Sequence, residues 1–71
     1  MDAKFTLQVN DSGAWRNVLR GTSVQLMDIE NQVAIIASVM GKGYKWRIID
    51  AAMGDVIGYC NAPDFIWTPA K

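Results

Sequence analysis

The hydrophobic period of this chain changes twice, and that change is the tightest constraint on its fold. From Lys4 to Asn10 the side chains alternate, with Phe5, Leu7 and Val9 to one side and Lys4, Thr6 and Gln8 to the other. A period of two marks a strand with one buried face. From Leu26 the apolar residues recur at spacings of three and four, through Ile29, Val33, Ile36, Ala37 and Met40, which sets them along one stripe of a helix. Asp28, Glu30, Asn31, Gln32 and Ser38 fall largely off that stripe. From Tyr44 to Asp50 the period returns to two, with Tyr44, Trp46 and Ile48 opposite Lys45, Arg47 and Ile49.

The segments between these runs read as reversals. Asp11-Ser12-Gly13 offers side-chain oxygens to the nearby backbone and a glycine for positive φ, so a return strand is expected over Ala14–Arg20. Its simplest reading puts Trp15 and Leu19 inward and Arg16, Val18 and Arg20 outward, with Gly21 as its end. Thr22-x-x-Gln25 has the form of a capping box, and Gly41-Lys42-Gly43 supplies a glycine stop, which together predict a helix over about 22–40. The β-branched residues Val33, Ile35, Ile36 and Val39 lower its intrinsic propensity, but length and caps outweigh them. Gly54 marks a turn through 51–55 into a fourth strand, Val56–Cys60. The fold class is therefore α+β, of order ββαββ: two β-hairpins form a mainly antiparallel sheet with one helix packed on one face.

Residues 1–60 read as a single compact domain, because a chain of 71 residues has no material for two cores. Residues 61–71 read as a C-terminal tail that packs on the domain or on a partner. Its two prolines argue against a central strand. Phe65, Ile66 and Trp67 are too costly to leave in water, at roughly 1.5–3 kcal/mol per large side chain.

The chemical inventory is short. The chain has no histidine, which removes the common general base, histidine-containing zinc sites and histidine-dependent triads. A single cysteine, Cys60, can form neither a thiolate cluster nor an internal disulfide, and it reads as an ordinary core residue. Carboxylates are the remaining acid–base candidates: Asp11, Asp50, Asp55 and Asp64 in or beside turns, Asp28 and Glu30 on the helix. Asp50 and Asp55 could face each other across a hairpin, although turn aspartates more often serve the local backbone. Gly41-Lys42-Gly43 lacks the spacing of a phosphate-binding loop and lies where the helix dipole disfavours anions. The expectation is a protein that is not an enzyme and uses no cofactor or metal. With no apolar signal segment and no run approaching the roughly 20 apolar residues of a membrane span, a cytoplasmic chain with no membrane partner is expected.

Seven basic and seven acidic residues cancel, so any attraction to a charged partner must be local. Strand parity supplies a locality. The sheet face away from the helix should gather Lys4, Arg16, Arg20, Lys45 and Arg47, with Thr6, Gln8, Val18 and Ile49 between them, while the acids lie on turns and helix. The resulting expectation is a small non-enzymatic interaction module or regulator. Arg16, Arg20, Lys45 and Arg47 would meet an acidic partner protein, or Phe65 and Trp67 would join a free edge in contacting a second copy. The alternative is a nucleic-acid-binding module using the same basic face. Against it, Phe5, Trp15, Tyr44 and Trp46 are expected to point toward the helix rather than among the cations, where bases would stack.

Overall fold

The structure, a computed structural model, describes residues 4–41, 43–61 and 64–70. Its elements are β1 (Lys4–Asn10), β2 (Trp15–Thr22), α1 (Leu26–Met40), β3 (Lys45–Asp50), β4 (Val56–Asn61) and β5 (Ile66–Pro69). The strands form one antiparallel sheet in the order β2-β1-β3-β4-β5, and α1 packs across one face. The α+β class and the helix-on-sheet arrangement follow the expectation; the fifth strand does not. The tail turns back and pairs with β4, where Pro69 is tolerated because β5 is an edge.

The turns form as their side chains dictate. Asn10 Oδ1 accepts the Gly13 amide at 2.8 Å, and Gly13 takes φ +95° to complete the first reversal. In the second hairpin Asp50 Oδ1 accepts the Ala52 amide at 2.8 Å, and Gly54 sits at φ +77°. The Asp50 carboxylate is thus engaged by its own turn.

Two boundaries differ from the sequence reading. The helix starts at Leu26, four residues later than the capping pattern suggests, because Thr22 stays in β2 and residues 23–25 form a turn. Half of the capping box survives: Gln25 Oε1 accepts the Thr22 amide at 3.1 Å, while no side chain caps the first turn of α1. At the other end Gly41, at φ +94°, donates its amide to the Ala37 carbonyl at 3.0 Å. Lys42 of the expected glycine stop lies outside the described residues.

The core forms between α1 and the middle strands. Leu7, Trp46, Ile48 and Cys60 from the sheet meet Val33 and Ala37 from the helix, with Phe5, Val9, Leu26, Ile29, Phe65 and Trp67 packed around them. Trp67 reaches from the edge to the helix, donating Nε1–H to the Glu30 carbonyl at 2.7 Å. Phe65 adopts φ +53°, a left-handed conformation that disfavours a bulky residue, yet its ring packs against the core. The two aromatics of the tail are therefore spent on their own domain.

Candidate functional site

The face of the sheet opposite α1 is built in rows, because residues paired across antiparallel strands point the same way. One row crosses all five strands as Asn17, Gln8, Arg47, Tyr59 and Thr68. A second holds Arg20, Thr6, Ile49 and Val56, and a third holds Trp15, Asn10 and Lys45. Alternation along β1 adds Lys4 to the same face, since Phe5 packs on the core. No carboxylate stands in these rows. Asp28 and Glu30 are on α1, and Asp11, Asp50, Asp55 and Asp64 lie in turns or at strand ends.

The central row is linked by hydrogen bonds. Arg47 Nε–H donates to Gln8 Oε1 at 2.7 Å, and Gln8 Nε2–H donates to Asn17 Oδ1 at 2.8 Å. The Arg47 guanidinium carbon lies 4.1 Å from the centre of the Trp15 ring, within cation–π range. One side of Arg47 is thus fixed by an amide and one face by an indole. Arg47 is half-buried, and among the described residues its guanidinium meets no carboxylate. A planar fork held in this way suits two-point recognition of a carboxylate or phosphate.

Of the expected partner-binding residues, Arg20, Lys45 and Arg47 lie together on this face. Arg16 does not. The β1–β2 register shifts between Leu7 and Gln8: Leu19 pairs with Leu7 and Asn17 with Gln8, leaving Val18 as the extra residue of a bulge. An extra residue reverses strand parity. Arg16 therefore pairs with Val9 and joins the row of Val9, Trp46, Cys60 and Trp67 on the helix side, while Trp15 passes to the outer face. Val18 leaves the outer face as well and lines a groove beside the helix with Leu19. Phe65 and Trp67 are engaged in the core. The expected cluster of five cations is thus four, and it gains an aromatic ring. The missed signal was the apolar pair Val18-Leu19 within an otherwise alternating strand: both side chains reach apolar surroundings only if a bulge intervenes.

Cys60 is fully buried, and desolvation pushes its thiol pKa up, which disfavours the thiolate a nucleophile needs. Among the described residues no group of histidine, cysteine, aspartate and glutamate is arranged to hold a metal ion. No helix among them is long and apolar enough to cross a membrane. No protein-family model matches the sequence, and comparisons with curated proteins and with solved structures find no significant match.

Proposed function

We propose that this protein is a small non-enzymatic binding module whose outer sheet face takes an acidic segment of another protein. The observation that supports this reading most is the fixed guanidinium of Arg47. Held by Gln8 and Trp15, it stands in a face that also carries Lys4, Arg20 and Lys45 and, among the described residues, no acid. Preorganisation matters because a side chain already immobile loses less entropy when its ligand arrives. Lys4, Arg20 and Lys45 would steer and orient the segment, and Arg47 would hold a carboxylate at the centre. Because the chain has no net charge, the attraction is short-ranged and selects a local run of acid rather than any polyanion.

A second reading, nucleic-acid binding, draws support from the position of Trp15. The ring lies among the cations, where a base can stack, and Tyr59 shares the face. Fluorescence titrations separate the two. In the acidic-segment reading, a Glu/Asp-rich peptide changes the emission of Trp15 saturably, Arg47→Ala weakens it at least about tenfold, and single-stranded oligonucleotides bind more weakly at the same salt. Tighter binding of oligonucleotide, with affinity falling on a log–log salt slope of about −3 for four neutralised phosphates, establishes the second reading instead. Failure of both probes at low salt rejects the outer face as a binding surface for acidic ligands.

A further inference from the structure

The cations of the outer face are arranged in steps. The outward positions of β1 are residues 4, 6, 8 and 10, and each level carries one cation: Lys4 itself at the first, then Arg20, Arg47 and Lys45, paired with Thr6, Gln8 and Asn10. All four stand on β2, β1 and β3, which are neighbours in the sheet, whereas the described residues of β4 and β5 carry no cation. Lys4, Arg20 and Lys45 are exposed and Arg47 is half-buried. Successive levels are two residues apart, about 6.8 Å in an antiparallel sheet, so the series extends over about 20 Å along the strands. Among the described residues no carboxylate stands at any of the four levels to offset these charges.

We infer that the acidic partner segment is bound extended, running along β2, β1 and β3 with an aspartate or glutamate at every second position and one carboxylate to each level. This rests on the outer face being the site of an acidic segment, and it adds the spacing by which that segment is recognised. An extended chain repeats every two residues over the same distance as the levels of the sheet, because the backbone geometry is the same. Its alternate side chains all point to the sheet and the interleaved ones to solvent. Acids at every second position therefore meet four cations in step, and a run of consecutive acids sends half of its carboxylates the wrong way.

A helical segment does not match the series. Four residues advance a helix by about 6 Å but turn it about 40° past a full circle, so three such steps carry the last acid roughly a third of a turn off the face. Spacings alternating between three and four keep the acids in one stripe, but at uneven rises of about 4.5 and 6 Å. An acid-rich segment is also commonly disordered when free, so no helix has to be undone before it extends.

Fluorescence anisotropy of labelled peptides titrated with the full chain tests the spacing. One peptide alternates four glutamates with threonines, a second has the same composition with its glutamates consecutive, and a third is alanine-rich and helical with four glutamates each four residues apart. The alternating peptide should bind about tenfold more tightly than either of the others, as expected for two additional surface ion pairs. Lys4→Ala and Lys45→Ala, at the two ends of the series, should each weaken the alternating peptide about threefold, the effect of one such pair. Neither should change binding of the consecutive-acid peptide, which needs only two adjacent levels, and their far-UV circular dichroism should match the wild type. Equal affinity for the alternating and consecutive peptides overturns the inference while leaving the acidic-segment reading in place, as does tighter binding of the helical peptide. If no peptide binds at low salt, the reading and the inference fall together; tighter binding of a single-stranded oligonucleotide of equal charge assigns the face to nucleic acid and overturns both.

Discussion

Trp67 joins the last strand to the helix, and replacing it in two steps separates its contributions. Its Nε1–H donates to the Glu30 carbonyl at 2.7 Å, and its ring packs against the buried core beside Cys60, its partner across β4. Trp67→Phe removes the donor and part of the ring. The hydrogen bond contributes about 1 kcal/mol net, and the lost contacts add about as much again, so a loss of about 2 kcal/mol is expected. Trp67→Ala removes the whole ring, for about 3–5 kcal/mol. A domain of 71 residues is stable by about 4–10 kcal/mol, so the first variant should fold cooperatively and the second should be marginal. Urea unfolding followed by far-UV circular dichroism is the suitable assay, because it does not depend on the indole being removed. With an m-value near 1 kcal/mol/M, typical of a small domain, Trp67→Phe should lower the midpoint by about 2 M. Unchanged midpoints in both variants would refute the docking of residues 64–70 on their own domain.

Other expectations follow from single contacts. A Cβ at Gly58 would stand 3.0 Å from the Thr68 carbonyl oxygen, which is backbone, so Gly58→Ala should loosen β5 and cost about 1–3 kcal/mol in thermal or urea unfolding. At Gly21 the Cβ would meet the terminal methyl of Ile29 at 2.5 Å; that group can swing away, so Gly21→Ala should fall at the low end of the same range. A Trp15→Ala/Arg47→Ala double-mutant cycle should give a coupling of about 0.5–1 kcal/mol, and a coupling of zero would deny the stacked geometry. Burial raises the Cys60 pKa, so the unfolded chain releases that proton first as pH climbs. The stabilising contribution is whole below the ordinary thiol value and is lost as pH rises through the folded one. Unfolding midpoints of wild type and Cys60→Ala should therefore converge at alkaline pH, and a constant difference would contradict the assignment.

Local periodicity carried most of the fold. In β1 and β3 one residue in two faces the helix, and the alternation of Phe5, Leu7 and Val9, or of Trp46 and Ile48, reports that directly. The helical stripe was legible in the same way, but only in part: Val33 and Ala37 are buried, whereas Ile36 and Met40 remain exposed. Spacing states which residues share a helix face, not how far the sheet beneath extends. The tail strand was hidden because its four residues, Ile66–Pro69, are fixed by pairing with β4 and by Trp67 reaching Glu30, interactions remote in sequence. The cationic face was legible at Arg20, Lys45 and Arg47 and misread at Trp15 and Arg16. One extra residue at Val18 exchanges those two, and a bulge is set by the partner strand's register rather than by strand alternation. The exchange also changed the chemistry, since a cationic face expected to hold no tryptophan gained a guanidinium stacked on an indole.

The side on which Trp15 lies decides the character of that face, and proton NMR reads it directly. The Arg47 δ-methylene protons should show nuclear Overhauser contacts to the Trp15 indole and an upfield ring-current shift that vanishes in Trp15→Ala. Contacts from the Trp15 ring to Val33 or Ala37 of α1, with none to Arg47, would return the indole to the core and remove the platform on which the proposed binding depends.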